Sequence, residues 1–185
     1  METTLSPLSS KFRFCLPSRR VDVPKLRCRK AELQDVAELT EIENLSFDSP
    51  WSAREFEYCI ADKRCEGALV EEDGEVLGYL FYEINNASFS LLNCAVSPFA
   101  RRRGAGTLLL RELISRLGET RKEISCVVRE SNVQAQVFLR SLGFRAQWVM
   151  KGFYSDSKED AYKMSFQTED WALATEYIRK RLLTR

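Results

Sequence analysis

Two patterns in the sequence predict an α/β (α+β) domain built on a mixed, mostly antiparallel sheet flanked by helices. Three strand-like runs follow one another across short turn signals, as in an antiparallel meander. Runs with apolar residues near a 3.6 period precede and follow that meander, which supplies helices for the sheet faces. At 185 residues and 44% hydrophobic, the chain is long enough for one ordinary core.

The elements read in order. "KLRCRKA" (25–31) alternates and predicts a first strand. Leu33, Val36, Leu39, Ile42 and Leu45 recur at helical spacing. A short second helix begins after Ser52, with Glu55 three residues on in the capping-box pattern. "CEGALVEE" and "EVLGYLFYEI" flank an Asp73-Gly74 turn, and "ASFSLLNCAVSP" follows an Asn85-Asn86 turn and ends at Pro98. A glycine loop then opens a helix carrying Leu109, Leu110, Leu113, Ile114 and Leu117 on one side. "EISCVV" predicts a strand, and "SNVQAQVFLRSLGF" a helix capped by Ser131 or Asn132 and stopped at Gly143. "RAQWVMKGFY" and "DAYKMSF" predict a closing hairpin. Residues 168–185 read as a last helix, acidic at its start and basic at its end, which suits the helix dipole.

Residues 1–30 hold eight basic residues against two acidic ones, although the whole chain carries only +1. Residues 1–24 therefore read as a basic extension, expected to be disordered, with RNA contact as a weaker alternative. The domain proper is expected over 25–167. That extension lacks a continuous apolar h-region, and no run of about 18 apolar residues appears elsewhere, so a cytoplasmic protein without a membrane span is expected. There are six cysteines, without C-x-x-C spacing, and no histidine. Lacking histidine, the chain cannot build Cys/His zinc sites or Ser-His-Asp and Cys-His catalysis; no metal is expected. Acid–base work would fall to carboxylates, Tyr, Lys, Cys or water.

"RRRGAGTLLL" (101–110) has the layout of an anion site. A helix start leaves N–H groups unpaired and carries about half a positive charge. Glycine admits close approach of a ligand, so phosphate or pyrophosphate is the natural guest. The loop lacks the Lys-Ser/Thr of a P-loop and the G-x-G-x-x-G of dinucleotide folds. On the loop alone, a helix start that needs glycine only for packing stands equally with an anion site.

The wider pattern separates them. "RRRGAG" (101–106) matches the R/Q-x-x-G-x-G/A signature of the GNAT N-acetyltransferases, and the element order resembles that fold. "SPWS" (49–52), "LNCAVSP" (92–98), "VRESNVQAQVFLRSLGF" (128–144) and "GFY" followed by "EDAYKM" (159–164) resemble the ribosomal-protein alanine N-acetyltransferases. The resemblance implies acetyl-CoA as co-substrate and a protein or peptide N-terminus as acceptor, a ribosomal protein among the candidates. It implies that Arg101, Arg102, Arg103, Gly104, Ala105, Gly106 and Thr107 cradle pyrophosphate. The edge at Cys94, Ala95 and Val96 would pair with the pantetheine arm, and Asn132 and Phe138 would sit beside its reactive end. Pro50, Trp51, Phe153 and Tyr154 would wall the acceptor pocket.

The same resemblance exposes a departure. The family strand reads Leu-Glu-Val-Arg, with the Glu as general base, whereas this chain reads "CVVR" with Val127 there. The family's acid is a Tyr in the next helix, where this chain has Leu139. Neither replacement transfers a proton. Tyr154 is the candidate acid or amine anchor, with water as base assisted by Glu130, Glu159 or Asp160. Glu130 is offset from Val127 by odd parity and is expected on the other face of the sheet. The first reading is therefore an N-acetyltransferase working mainly by alignment in a ternary complex. The second is a catalytically weak acyl-CoA-binding module, a sensor or interaction protein.

Overall fold

In the computed structural model, residues 26–168 are described; the predicted basic extension and last helix lie outside them. The strands are β1 (Arg27–Lys30), β2 (Cys65–Glu72), β3 (Glu75–Ile84), β4 (Ser88–Val96), β5 (Glu123–Arg129), β6 (Arg145–Tyr154) and β7 (Glu159–Gln167). The helices are α1 (Val36–Asn44), α2 (Ala53–Ala61), α3 (Ala105–Ser115) and α4 (Val133–Ser141). The seven strands form one sheet in the order β1-β2-β3-β4-β5-β7-β6. The meander β2-β3-β4 is antiparallel, as the turn signals predict. The closing hairpin is present too, but β7, not β6, lies next to β5.

Two apolar clusters fix the helices on opposite faces. Leu109, Leu110, Leu113 and Ile114 of α3, Leu139 of α4 and Leu142 just past its end pack on Leu80, Ile124, Cys126, Val128, Met164 and Phe166. Val36, Leu39 and Ile42 of α1 and Phe56 and Cys59 of α2 pack on Leu69, Tyr79, Phe81 and Ala95. The predicted stripe on the first helix is too long at both ends. Leu33 (62% exposed) sits in a 3-10 turn before α1, and Leu45 (48% exposed) lies just past it. A local ion pair sets the start: Arg29 grips the Asp35 carboxylate through two nitrogens at 2.8 Å. The same carboxylate takes the Glu32 N–H at 2.8 Å, which closes the 3-10 turn and leaves Leu33 outside the packed face.

Caps end the other helices as their residues dictate. Glu55 accepts the Ser52 N–H at 2.6 Å and its hydroxyl at 2.8 Å at the start of α2. Between the two candidates for α4, Asn132 is the cap, its Oδ1 accepting the Ala135 N–H at 3.0 Å. Gly143, at φ +101°, ends α4, with Phe144 N–H on Leu139 O and Gly143 N–H on Arg140 O, both at 3.1 Å. That is a Schellman ending, and it turns Phe144 and Leu139 into the core together.

Candidate active site

The sheet is split at its centre. β4 and β5 run parallel and pair only through Ser88↔Glu123, Phe89↔Ile124 and Ser90↔Ser125. Beyond that point β4 stays with β3 and β5 stays with β7, so the two strands diverge and leave a notch. A bulge contributes: Phe81 pairs with Asn93 and Tyr82 with Leu91, so Leu92 has no partner on β3 and the strand bends. Ser97 N–H returns to Leu77 O at 2.8 Å, so strand alternation turns the main-chain groups of Val96 and Cys94 into the notch. An open edge inside a sheet is a template for another extended, amide-bearing chain.

The glycine loop stands at the mouth of the notch on the β4 side. Gly104 is the N-cap of α3 at φ +94°, and Leu108 N–H closes the first helical turn on its carbonyl at 2.9 Å. A side chain at Gly104 would point into open space, its nearest neighbour Leu26 Cδ1 at 4.0 Å. Arg102 is also left-handed (φ +65°), and the first N–H groups of α3 have no intrahelical acceptor. Gly106 has a different task. A Cβ there would meet Phe138 Cζ at 3.2 Å and Val96 Cγ2 at 3.5 Å, so it lets α3 lie against β4 and α4. The half-buried Phe138 ring seals that junction. The three arginines are not equivalent. Arg101 Nε donates to Val96 O at 3.1 Å, which consumes one notch carbonyl, and Arg103 pairs with Glu72. Arg102 is exposed and has no acidic partner among the described residues.

The β5 side of the notch is built otherwise. Cys126 and Val128 point into the core below α3 and α4, so Val127, 38% exposed, faces the side that carries α1 and α2. In its row stand Lys163 of β7 and Trp148 of β6, with Lys163 Nζ 4.8 Å from the Trp148 ring centroid. Leu139 is buried in the core (4% exposed) and presents nothing to the notch. Glu130 is on the other face, as its parity predicts: the Tyr162 hydroxyl, packed on the α3/α4 cluster, donates to it at 3.3 Å. Glu159 takes the Ser131 N–H at 2.5 Å and an Arg129 nitrogen at 3.3 Å, and these bonds hold its pKa below the carboxylate range. Lys151 and the Gly152 N–H do the same for Asp160. Both acids are thereby poor bases. Tyr154 ends β6, its ring 3.7 Å from Cζ of Arg129 at the end of β5 and edge-on to the exposed Phe153 at 5.1 Å. Burial pushes its phenol pKa up and Arg129 opposes this; the net rise keeps the hydroxyl protonated. It is a donor and an acid, not a base.

The α1–α2 connection forms the remaining wall. Pro50 is exposed, while the Trp51 ring packs on Phe56 at 5.4 Å and Phe81 at 6.2 Å. Trp51 also lines a shallow pocket of about 280 Å³ with Arg54, Glu55, Tyr58, Cys59 and the bulged Leu92. Beneath it lies a carboxylate that pattern reading passes over. Glu43 of α1 is 1% exposed and accepts the Trp51 N–H at 2.9 Å, Asn93 Nδ2 at 2.9 Å, and the Tyr79 hydroxyl. Burial raises its pKa, against the lowering effect of the Trp51 and Asn93 donors. An acid on the apolar face of α1, seven residues after Val36, is the signal that finds it.

The Acetyltransferase (GNAT) family profile matches residues 36–144. This chain belongs to that family. It is an enzyme of the acyltransferase class. A putative ribosomal protein bS18-alanine N-acetyltransferase of Bacillus subtilis (strain 168) is 31% identical over 142 residues, covering 76% of this chain and 94% of its own. The crystal structure of the ribosomal-protein-S18-alanine N-acetyltransferase from Escherichia coli superposes with a TM-score of 0.71 at 26% identity, over 77% and 94% of the two chains. Arabidopsis thaliana NAA60, in complex with acetyl-CoA, shares the fold at TM-score 0.68 and 16% identity, over 77% and 98%. The resemblance drawn from the motifs is borne out. Among the described residues, no helix is long and apolar enough to cross a membrane.

Proposed function

We propose that this protein transfers the acetyl group of acetyl-CoA directly to a protein N-terminal α-amine in a ternary complex. The observation that carries the reading is the alignment of the open β4 edge with the start of α3. The edge offers amide groups at Cys94 and Val96, and the start of α3 offers unpaired N–H groups a few residues later. This donor set fits acetyl-CoA. N–H groups from Arg102 to Thr107 would take the pyrophosphate, with Arg102 as the available charge; Arg101 and Arg103 brace the loop instead. Cys94 and Val96 would hold the pantetheine amides, with Asn132 and Phe138 along the α4 wall; Ala95, which the resemblance also implies, turns its main chain to Tyr79 of β3 and buries its side chain, so it takes no part. Bound acetyl-CoA supplies the activated acyl group. Pro50, Trp51, Phe153 and Tyr154 would bound the amine's approach, and Tyr154 would donate a proton to the leaving sulfur.

With Val127 at the position of the family base, the rate would come mainly from alignment, and the amine's proton would pass to water. Alignment alone supplies on the order of 7–11 kcal/mol in favourable cases. The names of the relatives support an N-terminal alanine, on a ribosomal protein, as the first acceptor to try. Five described cysteines without disulfide partners accord with the cytoplasm, where thiols stay reduced. The apolar pair Val127 and Leu139 favours a second reading, a binder of acyl-CoA with little turnover. Acetyl transfer to peptides with free N-terminal amines, by wild type and Val127→Glu, separates the two. The enzyme reading expects turnover in the wild type and only a modest gain in the variant, because Lys163 in the same row would lower the new carboxylate's pKa. Acetyl-CoA binding by both proteins with turnover only in Val127→Glu would overturn it.

A further inference from the structure

We propose that Asn93 is the side chain that receives the incoming amine, and that Glu43 is the positioning residue that turns the Asn93 amide for that role. The assignment rests on the acetyl-transfer reading of the notch and adds to it a residue that meets the acceptor.

Three geometric facts carry it. First, a carboxylate only accepts hydrogen bonds. Glu43 Oε1 takes both Asn93 Nδ2 and the Trp51 N–H at 2.9 Å, while Oε2 takes the Tyr79 hydroxyl. The Asn93 amide must therefore show its NH₂ to Glu43 and turn Oδ1 away. Second, Oδ1 accepts no hydrogen bond among the described residues, and it is not a buried orphan, since Ser46 Oγ alone is. It is an acceptor open to whatever enters. Third, Asn93 stands at the lip of the notch. It lies three residues past the last β4 residue paired with β5, as Val127 lies two residues past the last β5 one. Both face the α1/α2 side: Ala95, two residues from Asn93, packs in that cluster, and Val127 opposes the core-facing Cys126 and Val128.

An amine arriving from that side toward a thioester along Cys94–Val96 passes Asn93 Oδ1 on one lip and only an apolar side chain, Val127, on the other. Its N–H donates to Oδ1, which aims the nitrogen lone pair across the notch. The amide holds the amine without taking its proton, which leaves to water. Glu43 stays below, shielded by Trp51 and the α1–α2 connection, and acts only through Asn93.

The test uses the full chain, acetyl-CoA and a peptide with a free N-terminal amine. Its readouts are peptide KM, kcat, and the affinities for CoA and for a CoA–peptide conjugate. Asn93→Leu should raise the peptide KM and weaken the conjugate about fivefold to tenfold, the loss of a hydrogen bond from a neutral N–H, with CoA affinity unchanged. Glu43→Leu should do the same, and the double variant should be no worse than either single one. Glu43→Gln keeps a carbonyl oxygen toward Asn93 and should stay within about threefold of wild type. Wild-type KM and conjugate affinity in Asn93→Leu would overturn the role of Asn93, and this variant leaves Glu43 in place if Glu43→Leu does not fold. Multiplying losses in the double variant, or a Glu43→Gln loss as large as that of Asn93→Leu, would overturn the link to Glu43. A wild type that acetylates no amine and binds the conjugate no tighter than CoA would overturn the acetyl-transfer reading itself, together with this assignment.

Discussion

Cys94 and Val96 turn main-chain groups into the notch and the start of α3 leaves N–H groups unpaired, whereas the facing stretch of β5 presents Val127 and, at its end, an Arg129 already paired with Asp156 and Glu159. One lip is built from backbone, the other from side chains. A backbone site depends on sequence only through φ and through what a Cβ would fill, so many sequences preserve it. An acid or base depends on one functional group at one Cα, so a single substitution removes it. This fits a chain in which the motif that the resemblance assigns to the cofactor is whole, while the two positions it assigns to proton transfer hold Val127 and Leu139.

Three variants test that division, from the largest expected effect to the smallest. Gly104→Val forces a β-branched residue to φ +94° and fills the open space of the loop. The backbone strain alone costs about 1–3 kcal/mol, and acetyl-CoA affinity should fall about a hundredfold by calorimetric titration. Normal affinity would show that the backbone lip is not the cofactor site. Tyr154→Phe probes the side-chain lip. It should lower kcat about tenfold and leave CoA affinity alone, since an acid contributes to the chemical step. The pH profile carries the sign: with its pKa raised above the ordinary value of 10, the phenol stays protonated until strongly alkaline pH. Wild-type kcat should then fall as pH rises through that raised pKa, and the variant should lack this limb. The third test is a pair. Arg102→Ala should weaken acetyl-CoA about fivefold at low salt and less at high salt, while Arg103→Ala, whose charge Glu72 already engages, should change it less than about twofold. Equal effects would mean that Glu72 releases Arg103 when the ligand arrives.

Much of this was legible in local pattern. The turns at Asp73-Gly74 and Asn85-Asn86 announced the meander, Ser52 and Glu55 announced α2, and Gly143 announced the end of α4, because each is a short-range rule of sterics or hydrogen bonding. The parity of Glu130 set it on the wrong face for catalysis, and Tyr162 holds it there. Leu33 misled because helical spacing says nothing of the Arg29–Asp35 pair that delays the helix.

What the sequence by itself determined is the set of elements and the family: the elements follow from residues within a few positions of one another, and the family from short motifs standing in order along the chain. Only the tertiary structure decided where β4 and β5 part, which of three adjacent arginines meets an acid among the described residues, and that Glu43 meets Asn93 fifty residues along the chain. Those outcomes depend on which distant group satisfies a buried donor or charge. A hydrogen bond or ion pair acts over about 3 Å of space, whatever the number of residues between its partners.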